Sequence, residues 1–335
     1  MQTERNQYFD FLKGIAILMV IGIHTFLGGG FNSFYEYLNT GIRQVLNCAV
    51  PIFIACSGFF LAKKQLDTRA EIRAFYYKQI TRVYIPCLLW SIPWFALHIQ
   101  GGGNVALGVL YFFLCGFSVY YFVVLMIQYY LLLPAIKVIK AKSGGALLAL
   151  SIGCSLISVA LVVHVTAIEG IEVPLTLYAG PFPLWIVFFV LGVFLANCNR
   201  EYKIGYLIAG VFVSLVLQVI ESKLLLSQST YGMGFGIKPT SFLFSMLVIL
   251  VLFSTRIEDL FNANSLLNRA IVFVGKVSFV VYLSHTLLII IISKFSFYCN
   301  VSWLFRFLGV AFSDIALVIV LYHLTPQKLK RIIGF

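Results

Sequence analysis

The chain has 335 residues, of which 61% are hydrophobic and 11% are charged. Soluble domains carry about 25% charged residues, so this composition, with a mean hydropathy of +0.98, excludes an ordinary soluble domain. The 24 Lys and Arg against 12 Asp and Glu give a net charge of +12. Basic cytoplasmic loops explain that charge better than nucleic-acid binding, and we expect no nucleic-acid partner.

Ten apolar runs have the length of membrane-spanning segments. They predict an all-α fold, a polytopic transmembrane helix bundle. The runs are 10–27, 46–62, 82–98, 119–136, 146–165, 183–198, 205–222, 240–255, 276–294 and 303–323.

An eleventh run, 104–118, follows three glycines at 101–103. The basic segments 63–82 and 137–142 on either side of this region should both be cytoplasmic, so the chain crosses an even number of times between them. Runs 82–98 and 119–136 already supply two crossings. We therefore expect 104–118 to be a re-entrant or interfacial helix on the outer side.

The distribution of basic residues also predicts the orientation. With both termini cytoplasmic, 19 of the 24 Lys and Arg lie on the cytoplasmic side, as the positive-inside rule requires. The longer segments 28–45, 166–182 and 223–239 then become outer loops. We expect one transmembrane domain over residues 1–335, with no cleaved signal peptide and no appended soluble domain.

Three ionisable residues interrupt the first apolar run, FDFLKGIAILMVIGIH. Lys13 and His24 are eleven residues apart, which is roughly three helical turns and about 16 Å of rise, so both lie on one face. Asp10 lies three residues before Lys13, close enough to pair with it. Ionisable residues within a membrane typically mark a functional path. The alternative is that Asp10 and Lys13 anchor the helix and His24 is a core histidine.

Two further stretches have a functional and a structural interpretation. Pro51 and the Ser57-Gly58 pair interrupt an apolar span, and this pattern is typical of a kink or a close helix crossing. Lys78 and Arg82 lie at i and i+4 on one helix face at the predicted cytoplasmic boundary. They suit phosphate binding, but ordinary anchoring of the helix explains them as well.

Polar residues continue in the later spans. Tyr120 and Tyr121 fit an aromatic belt at the outer interface, and Gln128 should form a hydrogen bond between helices. Glu169 and Glu172 lie in the outer loop 166–182 and either contact a polar substrate or are simply solvated.

Near the C-terminus, Ser278, Tyr282 and His285 recur at i, i+4 and i+7 and form one polar stripe on a helix. Such a stripe needs partners inside the bundle. We find no metal site, no P-loop, no GxGxxG and no GxSxG. The cysteines are odd in number and mostly lie in apolar runs, so we interpret them as small buried hydrophobic residues. They are Cys48, Cys56, Cys87, Cys115, Cys154, Cys198 and Cys299.

Five of these stretches, in this order, resemble the acyltransferase-3 family of bacterial membrane proteins. The family has Arg or Lys, ten residues and then His in its first helix, matched by Lys13 and His24. The other four matches are IFIACSGFF, KQITRVYIP, YYFVVLMIQYYLLLP and GKVSFVVYLSH. Together they cover residues 9–285. Lys13 and Lys78 stand where the family more often has Arg, and the ammonium group of Lys13 lacks the planar fork that makes bidentate contact with phosphate.

The resemblance implies transfer of an acyl group, usually acetyl, from cytoplasmic acyl-CoA to a sugar hydroxyl of a lipid-linked or surface glycan. It implies a bacterial cytoplasmic (inner) membrane protein that modifies polysaccharide such as O-antigen or exopolysaccharide. Acetyl-CoA is then a donor substrate, and no cofactor is bound permanently. The partners are acyl-CoA, the glycan acceptor and membrane lipid, with a homo-oligomer left open.

The resemblance also assigns roles to residues. Lys13, Lys78 and Arg82 would hold the donor's phosphates, and Ser57 would join the donor site. His24 would be the general base or a transient acyl carrier.

Asp10 would fix Lys13. Tyr282 and His285 would orient the acceptor or stabilise the oxyanion, and Ser278 would support them. Two other functions stay open on the sequence alone: a glycan or lipid transporter or flippase without acyl transfer, and a membrane acyltransferase that acts on lipid or protein.

Overall fold

The computed structural model describes residues 6–26, 30–226 and 236–335. Every regular element in these ranges is helical, which confirms the predicted all-α class. Seven helical segments are long and apolar enough to cross a membrane, consistent with a polytopic bundle. They are Gln7–Thr25, Phe34–Leu61, Arg69–Gln100, Tyr121–Lys142, Gly144–Ile168, Ile204–Leu225 and Trp303–Leu324.

Three of the ten predicted spans form shorter helices. Phe182–Leu195 and Pro239–Leu252 have 14 residues each, and Ser278–Ile292 has 15. At 1.5 Å per residue, such helices reach only about 21–22 Å, against a hydrocarbon core of about 30 Å. The helix Leu266–Lys276 ends two residues before Ser278. Taken together, these two helices are long and apolar enough to form one broken span. Length and composition thus support seven or eight spans, and the count of ten stays a prediction.

The chain divides into two compact units. The first unit consists of Met1–Lys64, Ile136–Pro174 and Pro183–Lys276. Its helices are α1 (Gln7–Thr25), α2 (Phe34–Leu46), α3 (Ala49–Leu61), α7 (Gly144–Val163), all but the first residue of α9 (Phe182–Leu195), α10 (Ile204–Leu226), α11 (Pro239–Leu252), α12 (Thr255–Asp259) and α13 (Leu266–Lys276). A π-helical turn, His164–Ile168, extends α7.

Glycines bring the helices of the first unit into close contact. A Cβ atom on Gly275 of α13 would lie 1.7 Å from the carbonyl oxygen of Asp10, and one on Gly14 of α1 would lie 2.1 Å from that of Ile271. No other residue fits at these two positions without moving a backbone. Small residues that allow backbones to approach are typical of helix packing in membranes. The result is an α1 held tightly against α13.

The second unit consists of Gln65–Ala135, Leu175–Phe182 and Val277–Phe335. Its helices are α4 (Arg69–Gln100), α5 (Val105–Phe113), most of α6 (Tyr121–Lys142), α8 (Leu175–Ala179), α14 (Ser278–Ile292), α15 (Ser296–Asn300), α16 (Trp303–Leu324) and α17 (Gln327–Ile333). A core cluster joins Cys87 of α4, Cys115, Tyr120 and Leu283 of α14, all of them fully buried.

Run 104–118 does not form a spanning helix. It contains only the nine-residue α5, about 13–14 Å long and too short to cross a bilayer. The helix begins at Asn104, whose side chain accepts a hydrogen bond from the N–H of Leu107. This fits the predicted re-entrant or interfacial helix.

The prediction of a loop over 28–45 is wrong, because Phe34–Leu46 forms α2. Ser33 caps the helix by accepting a hydrogen bond from the N–H of Glu36. The helix buries its polar residues Thr40 and Gln44 and exposes Phe34 and other apolar residues. Because the polar face of α2 points inward, its sequence mixes polar and apolar residues in the way that is typical of a loop. Most of the predicted outer loop 223–239 lies outside the described residues.

Two smaller expectations also need correction. Tyr120 is fully buried and belongs to the core of the second unit, so it is not part of an interfacial belt. Cys198 is exposed and Cys154 is half-buried, whereas Cys48, Cys56, Cys87 and Cys115 are buried as expected.

Candidate functional site

The two residues at the centre of the sequence hypothesis lie on one uninterrupted helix. The side chain of Asn6 begins α1 by accepting hydrogen bonds from the N–H groups of Tyr8 and Phe9, and the helix then continues to Thr25. Lys13 and His24 therefore share a helix face about 16 Å apart. The Lys13 side chain is 27% exposed, and His24 is exposed.

Asp10 fixes Lys13, as predicted. The Nζ atom of Lys13 lies 2.7 Å from Oδ1 of Asp10, and the aspartate side chain is 2% exposed. A carboxylate buried at this level needs a cationic partner. The pair holds the ammonium group at the beginning of α1, where it also lies 5.9 Å from the centre of the Phe60 ring.

Two more cations of the first unit, Lys63 and Arg200, lie near the C-terminal end of α3, where Phe59 and Phe60 are located. The Nζ atom of Lys63 lies 4.6 Å from the centre of the Phe59 ring, and the guanidinium carbon of Arg200 lies 5.2 Å from it. Both distances are those of cation–π contacts. We call Lys13, Lys63 and Arg200, around these two phenylalanines, the cationic cluster.

Glu258 positions Arg200 within this cluster. Its Oε2 lies 3.0 Å from Nη1 of Arg200, and its Oε1 accepts a 2.8 Å hydrogen bond from Asn6. Arg200 also donates to the carbonyl oxygen of Phe253 at 2.9 Å. The sequence hypothesis missed Arg200 and Lys63, which looked like ordinary loop cations. They are far apart in the chain, so no local pattern reveals that they meet.

Ser57 lies where two helices cross closely. A Cβ atom on Gly58 would lie 2.2 Å from the carbonyl oxygen of Phe189, and one on Gly192 would lie 2.1 Å from that of Ala55. The interpretation of Ser57-Gly58 as a close helix crossing is confirmed. Ser57 itself is half-buried, and its role in donor binding stays a prediction.

In the second unit, Lys78 and Arg82 are both exposed on α4 and share one face, as their spacing predicts. Thr81, between them, accepts a 3.0 Å hydrogen bond from Arg331 of α17. A further basic side chain thus lies beside the pair.

The polar stripe of α14 is engaged with the main chain. The hydroxyl group of Tyr282 donates to the carbonyl oxygen of Val119. His285 is fully buried, and its Nδ1 lies 3.1 Å and 2.8 Å from the carbonyl oxygens of Val281 and Tyr282. Because a carbonyl only accepts, this network assigns the ring proton to Nδ1. Ser278 is buried at the start of α14.

Gln128 makes the hydrogen bonds expected of a membrane-embedded amide. Its Nε2 donates to the carbonyl oxygen of Gly180 at 2.8 Å, and its Oε1 accepts from the N–H of Phe182 at 3.0 Å. In the first unit, the exposed Glu169 lies 3.5 Å from His164. This contact lies at the surface and defines no substrate site.

The long apolar helices define the class, a polytopic membrane protein, and the ionisable residues along α1 are of the kind that typically mark a functional path. The acyltransferase domain that characterises the acyltransferase-3 family matches residues 6–323, so the chain belongs to this family and is a membrane acyltransferase. No curated protein and no solved structure matches the chain.

Proposed function

We propose that the chain transfers an acyl group, acetyl in the first instance, from cytoplasmic acyl-CoA to a hydroxyl group of a lipid-linked or surface glycan. The observation that carries this proposal is α1, which has Lys13 in a cationic cluster near one end and the exposed His24 near the other. The enzyme is then a carbohydrate O-acetyltransferase of a bacterial inner membrane, with both termini in the cytoplasm.

The donor's phosphates bind at the cationic cluster in this proposal. Lys13, Lys63 and Arg200 carry three positive charges, of which Asp10 and Glu258 balance two. Arg is well suited to phosphate because it presents several N–H donors in a plane. The distance of about 16 Å along α1 suits an extended pantetheine arm that brings the thioester to His24. Lys78 and Arg82 lie on α4 of the second unit, and their contact with the donor's phosphates stays a prediction.

His24 acts on the acceptor hydroxyl group. A neutral imidazole accepts a proton near pH 7. The hydroxyl oxygen loses its proton to His24 and attacks the thioester carbonyl carbon, so a C–O bond forms. The C–S bond then breaks, CoA leaves as a thiolate, and the proton is passed on to give free CoA. In the alternative, His24 itself attacks the thioester, so that a C–N bond forms, the C–S bond breaks and CoA leaves. The acceptor hydroxyl oxygen then attacks the acyl-imidazole, the C–O bond forms, the C–N bond breaks, and the hydroxyl proton passes to the released imidazole.

His285 and Tyr282 are proposed as supporting groups. Tyr282 already donates to a main-chain carbonyl, which favours a role in holding α14 over direct contact with the oxyanion. His285, the other histidine in a family motif, is the alternative base.

The test is transfer of labelled acetyl from acetyl-CoA in bacterial membranes that contain the protein, compared with membranes that lack it. We expect label in the glycan fraction, released by mild alkali as an O-ester would be. Movement of glycan across the membrane without incorporation of label would favour the transporter. Label in protein or phospholipid alone would assign a different acceptor.

A further inference from the structure

Two helices of the first unit, α10 and α2, bury polar residues and expose apolar ones. In α10, Ser214, Gln218 and Ser222 recur every four residues and are all buried, while its apolar residues such as Phe212 and Leu224 are exposed. In α2, Gln44 is buried. A helix in lipid exposes its apolar side and turns polar side chains inward only where they find partners or bind something. The buried polar faces therefore converge on an interior site.

Lys238, immediately before α11, lies at the centre of this site and is fully buried. Its Nζ donates to Oε1 of Gln44 and, at 2.8 Å, to Oγ of Ser222. One turn along α10, Oε1 of Gln218 accepts a 2.9 Å hydrogen bond from Ser241. We call Gln44, Gln218, Ser222 and Lys238 the inner polar cluster.

Two donors of this cluster have no acceptor. Both Gln44 and Gln218 are 0% exposed, and within the described ranges the Nε2 atom of each has no hydrogen-bond partner. A buried amide group without its hydrogen bond destabilises the folded protein, so nearly all such groups in proteins are satisfied. Two neighbouring exceptions, both N–H donors, indicate that a ligand with acceptor oxygens belongs between them.

The charges around the cluster favour an anion. Glu221 accepts hydrogen bonds from the N–H and the hydroxyl group of Thr240, and Arg43 lies one residue before Gln44. With Lys238 protonated, two cations face one carboxylate. Burial lowers the pKa of Lys238 to about 7, Glu221 opposes this and Arg43 adds to it. An anionic group bound beside Lys238 would therefore stabilise its charged form.

An apolar groove of about 300 Å³ is lined by residues of α1, α2, α3, α10 and α11, and α2 and α10 also carry residues of the cluster. Val45, next to Gln44, Leu215, three residues before Gln218, and Phe244, three residues after Ser241, line one part of it. Leu12 of α1 and Leu252 of α11 line another part. The groove contributes no polar surface. It suits a hydrocarbon chain attached to a group bound at the cluster.

We propose that the inner polar cluster and this groove together bind a lipid with an anionic phosphate head group, and that its occupant is the lipid-linked sugar acceptor. The phosphate oxygens accept from Gln44, Gln218 and Lys238, and the apolar chain lies in the groove. The identity of the occupant as acceptor rests on the proposed function, whereas the binding site does not.

The test measures binding of farnesyl phosphate to the purified protein in detergent, with phosphatidylglycerol and phosphatidylcholine as the competing lipids. We expect Gln218→Met to weaken farnesyl phosphate binding about tenfold or more, since a hydrogen bond to a charged group is lost. Gln218→Glu, which replaces the donor by a carboxylate oxygen, should weaken it further. Gln128→Met is the matched control, because both groups of that amide are satisfied by the main chain.

The possible results test the binding site and the identity of its occupant separately. Because the readout is binding, a failure of acyl transfer would not affect it. Gln218→Met removes the acceptor of the Ser241 hydroxyl group, and Gln128→Met removes two hydrogen bonds to the main chain. Both variants should therefore lower the melting temperature, and binding is compared per folded molecule. Equal binding by the Gln218→Met and Gln128→Met variants would overturn the site. Phosphatidylglycerol binding as tightly as farnesyl phosphate, and with the same dependence on Gln218, would overturn the assignment to the acceptor.

Discussion

The two units use buried polar side chains in different ways. In the second unit, the hydroxyl groups of Tyr120 and Tyr282 and the amide of Gln128 bond to main-chain groups of neighbouring segments. In the first unit, the cationic cluster and the inner polar cluster bond chiefly side chain to side chain, as in Lys13 with Asp10 and Lys238 with Gln44. A main-chain carbonyl cannot turn away, whereas a pair of side chains can rearrange around a ligand. From this comparison we expect an architectural role for the buried Tyr120, Tyr282 and Gln128 of the second unit and a ligand-binding role for the two clusters of the first.

A buried carboxylate of the second unit departs from this pattern. Asp314 of α16 is fully buried and accepts a 2.7 Å hydrogen bond from Ser284, while its Oδ2 has no partner among the described residues. Ser284 also lies 2.9 Å from the carbonyl oxygen of Val280. The variants below are chosen to separate loss of stability from loss of transfer.

The largest effect is expected at His24. His24→Asn keeps a hydrogen-bonding side chain but cannot accept the proton, and a general base contributes typically about 10²–10⁴-fold in rate. Labelled acetyl transfer should therefore fall below detection, while the protein still inserts and still binds acetyl-CoA. His164→Asn, at an exposed histidine of the same unit, is the control. Near-normal transfer by His24→Asn would make His24 structural and transfer the catalytic assignment to His285.

The donor site gives the next largest effect. Lys63 is exposed and contacts only an aromatic ring among the interactions described for it, so Lys63→Ala should fold normally. Loss of a charge-assisted phosphate contact should raise the KM for acyl-CoA by roughly ten- to a hundredfold. The same measurement on Lys78→Ala and Arg82→Ala tests the basic pair of the second unit.

Lys294→Ala, at an exposed lysine outside the family motifs, controls for a change in net charge. A raised KM only for the α4 variants would assign the phosphates to the second unit and reduce the cationic cluster to an anchor.

Sequence reasoning predicted what depends on local patterns. The membrane class, the pairing of Asp10 with Lys13, the shared face of Lys13 and His24, the close crossing at Gly58 and the short α5 all follow from composition, periodicity or spacing. The cationic cluster did not follow, because Arg200 joins Lys13 and Lys63 only after folding. The spacing of Ser214, Gln218 and Ser222 was visible in α10, but their partner Lys238 is on another segment. Helix α2 was missed because an inward polar face looks like a loop.

Tyr120 tests the architectural role of the second unit. Tyr120→Phe removes a hydroxyl group that donates to the carbonyl oxygen of Leu283 at 2.6 Å and accepts from Trp94 at 3.3 Å. Leaving these groups without a partner should cost about 1–3 kcal/mol of stability, measured as a lower melting temperature in detergent. Transfer per folded molecule should be unchanged. Tyr206→Phe, at a residue 77% exposed, is the control. Full stability combined with lost transfer would place Tyr120 in the reaction.

The smallest effect is the pH dependence that Lys238 gives to stability. Burial lowers its pKa to about 7, Glu221 opposes the shift and Arg43 adds to it, whereas an unfolded lysine titrates near 10.4. Between these two pH values the unfolded chain binds more protons than the folded one, so the free energy of unfolding should rise with pH, by at most about 1.4 kcal/mol per pH unit. Below pH 7 both states carry the proton and this contribution is constant.

Lys238→Met should remove the rise between pH 7 and 9, while Lys223→Met, at an exposed lysine, should retain it. Parallel profiles for the wild type and Lys238→Met would show that Lys238 stays protonated in the folded protein, held by its hydrogen bonds to Gln44 and Ser222.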